Sequence, residues 1–234
     1  MKSKVIYEDK SIIVIHKPAG VATQTAKVGQ IDVVSEVKNY LAGEQEPYVA
    51  LINRLDQPVE GIVLIAKDDF AAKELSAQLQ KNQMQKKYYA LVLGQPKKKE
   101  AMLKDYLLKD SRTNASRIAC NEKEKGAKCA ELSYHILRSV YKSYETEGER
   151  VQVSTSLADI TLKTGRHHQI RVQMAHAGLP ILGDSKYGSA ESIELSQRIG
   201  MKNVALCAYS LTFIHPKTKK EMHMQVESET FANL

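Results

Sequence analysis

The chain has 234 residues, of which 43% are hydrophobic, and its 34 Lys and Arg outweigh 27 Asp and Glu to leave a net charge of +7. That is enough apolar material for an ordinary folded core in one large domain or two small ones, and the positive excess points to a polyanionic partner, nucleic acid ahead of an anionic membrane surface. The three cysteines, Cys120, Cys129 and Cys207, are odd in number and lack C-x-x-C spacing. They exclude a disulfide framework and a zinc ribbon and fit a reducing cytoplasm.

In chain order, Val5-Ile6-Tyr7 and Ile12-Ile13-Val14-Ile15 read as paired short strands around a turn at Glu8-Asp9-Lys10, ending in Lys17-Pro18-Ala19-Gly20. The Ile12–Ile15 run is far too short for a signal h-region or a membrane span, so neither export nor anchoring is expected. Asp32 is a candidate N-cap for a helix through Val33, Val34, Val37 and Leu41, closed by Gly43. The stretch Asn53-Arg54-Leu55-Asp56-Gln57-Pro58-Val59-Glu60-Gly61 then leads into the apolar run Ile62–Ala66. Pro58 and Gly61 mark a loop, and the run reads as a short strand covered on both faces. An Arg and an Asp thus sit on a loop braced by the core, where scaffolds commonly carry chemistry.

A second helix is expected over 70–81, with Phe70, Leu75 and Leu79 on one face. Lys86 to Gly94 alternates as a strand, with Tyr88, Ala90 and Val92 sharing a face. Tyrosines in strands are most often packing residues, and by itself Tyr88 carries no functional signal. Residues 95–128 are polar and lysine-rich, including Lys97-Lys98-Lys99, and read as a surface excursion or long hairpin. Ala130–Tyr141 and Val151–Leu162 read as long strands around a turn at 145–149. After Gly165, the spacing of Ile170, Met174 and Ala177 suits an amphipathic helix that stops at Gly178. His168 and His176 cannot both face one ligand there, and no H-E-x-x-H or Cys/His cluster occurs, so no metal site is expected.

Four segments together resemble the RluA-type pseudouridine synthases. Glu8, Asp9, Val14, Lys17, Pro18 and Gly20 match the opening E-D-x-x-x-x-V-x-x-K-P-x-G of that family's catalytic domain. Arg54, Leu55, Asp56 and Gly61 match its H-R-L-D-x-x-T-S-G signature, with Asn53 in place of His and Val59-Glu60 in place of Thr-Ser. Lys86, Tyr88, Ala90, Val92 and Gly94 match K-x-Y-x-A-x-V-x-G. Gly165, Arg166, His168, Gln169, Ile170, Arg171, Val172, Gly178, Pro180, Ile181, Gly183, Asp184, Tyr187 and Gly188 match G-R-x-H-Q-I-R-V-H-x-x-x-x-G-x-P-I-x-G-D-x-x-Y-G, with Gln173 in place of the second His.

The resemblance implies an α+β fold: a mixed, mainly antiparallel bent sheet with helices packed on it, residues 1–234 forming a single catalytic domain. Where an S4 RNA-binding domain often precedes the family's catalytic domain, this chain is expected to hold RNA by the catalytic domain itself. The implied activity converts a uridine in structured rRNA or tRNA to pseudouridine after base flipping, without cofactor or metal, in a cytoplasmic monomer. By the same resemblance Asp56 is the catalytic carboxylate, attacking the sugar or the base, and Arg171 keeps it anionic. Tyr88 is a catalytic residue that walls the pocket and stacks on the target base or helps a proton leave it, and Arg54, Arg166, His168 and Gln169 contact substrate, Arg54 filling the gap left by the flipped base and contacting phosphate. Asp184 reads as a turn residue without chemistry, and Val59-Glu60 as the loss of two small hydroxyls and the gain of a negative charge close to Asp56, expected to alter RNA contacts or substrate choice. Two rivals stay open: an RNA-binding protein that keeps the fold without turnover, and a small-molecule hydrolase using Asp56, for which no G-x-S-x-G or paired carboxylates speak.

Overall fold

The structure, a computed structural model, describes residues 1–25, 29–43, 46–146, 149–228 and 230–231, with the backbone alone at 142, 144–146 and 149–151. Its Cα atoms group into two compact units, residues 1–86 together with 207–234, and residues 87–206.

The first unit opens with the expected hairpin of β1 (Lys4–Glu8) and β2 (Ile12–Lys17), paired antiparallel. Its turn is closed by Asp9, whose carboxylate accepts from the N–H groups of Ser11 (2.7 Å) and Ile12 (2.9 Å), the local bonding that makes Asp a turn residue. Helix α1 (Val33–Leu41) starts where the Asp32 cap predicts, with a reciprocal bond from Ser35. The short β3 (Ala50–Leu51) lies along β4 (Glu60–Ala66), which runs antiparallel to β2 and parallel to β10 (Leu206–Ile214); β11 (Glu221–Gln225) pairs with β10. Every residue of β4 is buried, which is why its sequence shows no alternation.

One face of β4, carrying Ile62, Leu64 and Ala66, joins Ile12, Val14, Leu211 and Phe213 and the Ala71, Ala72 and Leu75 stripe of α2 (Asp69–Gln80). Each fully buried aliphatic side chain there contributes about 1.5–3 kcal/mol. Phe70 does not join them. Helix α2 begins at Asp69 with Asp68 as its cap, which rotates Phe70 outward to 50% exposure, and the Lys219 ammonium lies 5.7 Å from its ring centre. Gly61 is required where it stands: at φ +132° a Cβ would lie 2.4 Å from the Ala208 carbonyl oxygen on β10.

In the second unit the strands lie side by side in the order β5 (Gln85–Leu93), β9 (Glu149–Leu162), β8 (Lys128–Thr146), β6 (Glu100–Asp110) and β7 (Ala115–Ile118). The lysine-rich excursion is therefore the β6–β7 hairpin. Residues 147 and 148 of the predicted turn lie outside the described residues, and the β8–β9 pairing runs to Thr146 opposite Glu149, well past His135, the last β8 partner of β6. Helix α3 (Gln169–His176) packs Val172 against Leu107 and Ala130, and α4 (Ala190–Arg198) follows a Ser189 cap. Helix α3 departs from the amphipathic expectation. Its residues from Gln169 to Met174 are all buried, so Gln169, Arg171 and Gln173 must find partners inside the protein. Among the described residues no helix is long and apolar enough to cross a membrane.

Candidate active site

In the first unit, Asp56 stands half-buried at the start of a turn closed by the Val59 N–H donating to the Asp56 carbonyl at 3.0 Å. Several independent ties fix that turn. The approach to it runs along β4, where the Ile52 N–H donates to the Leu64 carbonyl (3.0 Å); there the main-chain pairing ends and the Asn53 side chain takes over. Its amide donates to the Ile62 carbonyl (3.0 Å) and accepts from the Leu64 N–H (2.8 Å). The substitution of Asn for the usual His thus has a local reason, since a carboxamide offers the donor and acceptor of a peptide group. Thr23 hydroxyl grips Leu55 from both sides, donating to its carbonyl (2.7 Å) and accepting from its N–H (3.2 Å). Gln57 exchanges bonds with Gly20, accepting from its N–H at 2.9 Å and donating from its side chain at 3.1 Å. Arg54 and Gln57 face solvent, whereas Leu55 and Val59 point into the protein.

Beneath the turn lies a residue whose part sequence reading missed. Lys17, at 0% exposure, donates its ammonium to the carbonyls of Pro18 (3.0 Å), Val21 (2.7 Å) and Gln57 (3.2 Å), so a buried cation ties the end of β2 to the Asp56 loop. Burial pulls its pKa from 10.5 to about 8, against the opposing pull of the Asp56 and Glu60 carboxylates. A Lys closing an apolar strand before a Pro-Gly turn was the available signal. Glu60 is also buried, at 3% exposure.

In the second unit, Arg166, His168, Gln169 and Arg171 come together where the chain enters α3. His168 takes a left-handed backbone (φ 54°) at the helix N-cap, an uncommon state for a residue with a Cβ, and is held there by stacking on His167 at 3.7 Å and by a 2.6 Å bond with the Tyr187 hydroxyl. Gln169 spends its amide internally: its oxygen accepts from the Thr164 hydroxyl (2.8 Å) and Arg166 N–H (2.9 Å), and its nitrogen donates to the Glu131 carbonyl (3.1 Å) and Gln173 (2.9 Å). His168 and Gln169 are buried braces, while Arg166 is exposed and anchored by its Nε to the Cys129 carbonyl at 2.9 Å.

Arg171 is clamped by Asp184 in a bidentate pair, Nε to one oxygen at 2.7 Å and a terminal nitrogen to the other at 2.8 Å, with its guanidinium 5.0 Å from the centre of the Tyr187 ring. Asp184 also accepts from the N–H groups of Lys186 (3.0 Å) and Tyr187 (3.2 Å). It is the turn residue the sequence predicts, and it also takes two of the five donors of the Arg171 guanidinium, a pairing that sequence reading missed. Gln173, fully buried, donates to Asp105 (2.7 Å) and the Ala130 carbonyl (3.2 Å), and Asp105 in turn meets His176 at 3.0 Å. Tyr88 is buried on the β5 face that carries Ala90 and Val92.

The family model described as RNA pseudouridylate synthase matches residues 11–176. The chain belongs to that family. The ribosomal large subunit pseudouridine synthase C of Buchnera aphidicola is 31% identical over 228 residues, 95% of this chain and 66% of that protein. The protein of the same name from Pasteurella multocida is 31% identical, over 96% of this chain and 64% of its own length. The chain thus spans about two thirds of the length of these two relatives. The tRNA pseudouridine synthase C of Haemophilus ducreyi is 32% identical over 95% of this chain and 89% of that protein. Among solved structures, human RNA pseudouridylate synthase domain containing 1 superposes with a TM-score of 0.73 at 19% identity, over 97% of this chain and 83% of that one. Human RNA pseudouridylate synthase domain containing 4 gives 0.72 at 21%, over 96% and 88%. These two likenesses establish the α+β synthase fold.

Proposed function

We propose that the protein is an RNA pseudouridine synthase that isomerises a uridine in structured rRNA or tRNA, with Asp56 as its catalytic carboxylate and residues 1–234 working as one catalytic domain, in a cytoplasmic monomer. The observation that carries this reading is the bracing of Asp56. A carboxylate that must meet a sugar or base carbon needs a fixed approach and access to solvent, and the Thr23, Asn53, Gln57 and Lys17 ties supply the first while its partly exposed position supplies the second. Relatives named for ribosomal and for transfer RNA match at similar identity, which supports the substrate class and leaves both RNAs as candidates.

In this reaction the N1–C1′ bond breaks, the base turns, and a C5–C1′ bond forms; C5 loses its proton and N1 gains one, with no net redox change. The uridine must leave its stack, at a cost of about a few kcal/mol. Exposed Arg54 occupies the vacated stack and, with Arg166, contacts phosphate. Tyr88, as pocket wall, and the Asp184-clamped Arg171 are the other residues assigned to this chemistry. His168 and Gln169, engaged by protein partners, act by shaping the segment that presents Arg166 and Arg171. The test is tritium release from RNA carrying 5-tritiated uridine. Wild type releases tritium, and Asp56→Asn binds the same RNA and releases none. Equal release by Asp56→Asn removes Asp56 from the mechanism, and RNA bound by wild type without release favours a binding protein that keeps the fold.

A further inference from the structure

The loop that carries Asp56 is held from a second side, by a residue the family signature does not supply. Glu60 is the first residue of β4, one position beyond the Asp56–Val59 turn. Its carboxylate is buried, and a buried carboxylate is tolerated only when its oxygens are satisfied. One oxygen meets His16 Nε2 at 2.9 Å. The other accepts from the Ser228 hydroxyl (2.8 Å), the Thr230 hydroxyl (2.7 Å) and the Thr230 N–H (3.4 Å). The donors come from opposite ends of the chain: His16 from β2, and Ser228 and Thr230 from the segment that follows β11. The buried thiol of Cys207, the residue opposite Glu60 on β10, is pushed up to about 12 by burial and then by the Glu60 charge.

We infer that Glu60 is a positioning residue for Asp56, fastening the exit of the catalytic turn to the C-terminal segment through Ser228 and Thr230. The inference rests on the function proposed above. Thr23 holds the Leu55 peptide before Asp56, Lys17 holds the Gln57 carbonyl after it, and Glu60 holds the turn where it enters β4. Where the resembling signature has a small hydroxyl residue at this position, the present chain has a carboxylate, and the hydroxyls sit instead on the C-terminal segment that reaches it.

The test compares Glu60→Ala, Glu60→Gln and the double variant Ser228→Ala/Thr230→Ala, the last of which leaves β4 untouched. Steady-state tritium release is measured well below each variant's melting temperature, together with hydrogen exchange at the Val59 amide. Misplacement of a catalytic group costs kcat, so Glu60→Ala and the Ser228/Thr230 pair each lose about tenfold in kcat with KM for RNA within about twofold. Combining them adds little to Glu60→Ala, which already loses the Ser228 and Thr230 bonds along with the His16 one. Glu60→Gln, which keeps an acceptor for the two hydroxyls, stays within about threefold of wild type. The Val59 amide exchanges faster in the two damaged variants and not in Glu60→Gln. A lower melting temperature with unchanged kcat and unchanged Val59 exchange makes the bonds merely structural and overturns the inference, as does full additivity. Wild-type protein that releases no tritium refutes the proposed function instead, and Val59 exchange still reads whether Glu60 holds the turn.

Discussion

The Asp56 loop and the Arg171 helix are held by different means. Around Asp56 the ties are largely to main chain: Thr23 to the Leu55 peptide, Asn53 to β4, Gln57 to Gly20, and the Lys17 ammonium among three carbonyls. Around Arg171 a chain of side-chain to side-chain bonds runs beside the main-chain ones: Asp184 to the guanidinium, Gln169 to Gln173, Gln173 to Asp105. Main-chain ties depend on the backbone path and tolerate exchange of neighbouring side chains, whereas a buried side-chain network fails when any member is cut. The two regions should therefore break differently.

The largest expected effect is at Asp184. Asp184→Ala leaves the Arg171 guanidinium buried without its bidentate partner and should cost about 3–5 kcal/mol by urea denaturation, with Arg171→Lys unable to restore the fork in the presence of Asp184. A loss under about 1 kcal/mol would place Arg171 in solvent-like surroundings. Next is Gln173→Leu, similar in size but unable to bond Asp105, Gln169 or the Ala130 carbonyl; about 1–3 kcal/mol should be lost, and Gln173→His, the family's residue, should lose less. Smallest is a pH effect at Lys17. Because its pKa is lowered to about 8, the ammonium facing the Asp56 and Glu60 carboxylates is lost as pH rises through 8. The tritium-release rate should fall several-fold there, worth under about 1.4 kcal/mol of barrier, and Lys17→Met should be slower and flat. Stability moves the other way. Between about pH 8 and 10.5 the unfolded chain binds the Lys17 proton and the folded one does not, so this group's contribution rises with pH, and a fall in rate cannot be unfolding caused by Lys17. A rate constant across that window would sever Lys17 from the chemistry.

The same contrast governs what could be read from sequence. The hairpin, β4, the Asp32 cap and the Tyr88 strand were legible, because turn chemistry and burial leave local patterns. Phe70 was misplaced because periodicity ranks an aromatic as a core residue, while the packing chose Ala71, Ala72 and Leu75. The partners of Glu60, Gln173 and Asp184 left no such pattern. Glu60 meets Ser228 across 168 positions and Gln173 meets Asp105 across 68, and pairing at that range has no period. Only the motif pointed to Arg171, since in isolation an arginine on a helix reads as a surface residue.

Gly61 carries a consequence for redesign. Because no side chain fits between it and the Ala208 main chain, and because Val59 and Glu60 on its near side are already enclosed, three consecutive positions after Pro58 are closed to variation that would reach a ligand. Libraries aimed at changing which nucleotide is accepted should leave them alone, keep Gln57 for its bond to Gly20, and randomise Arg54, an outward member of the same loop, where new side chains can be tried without dismantling the scaffold.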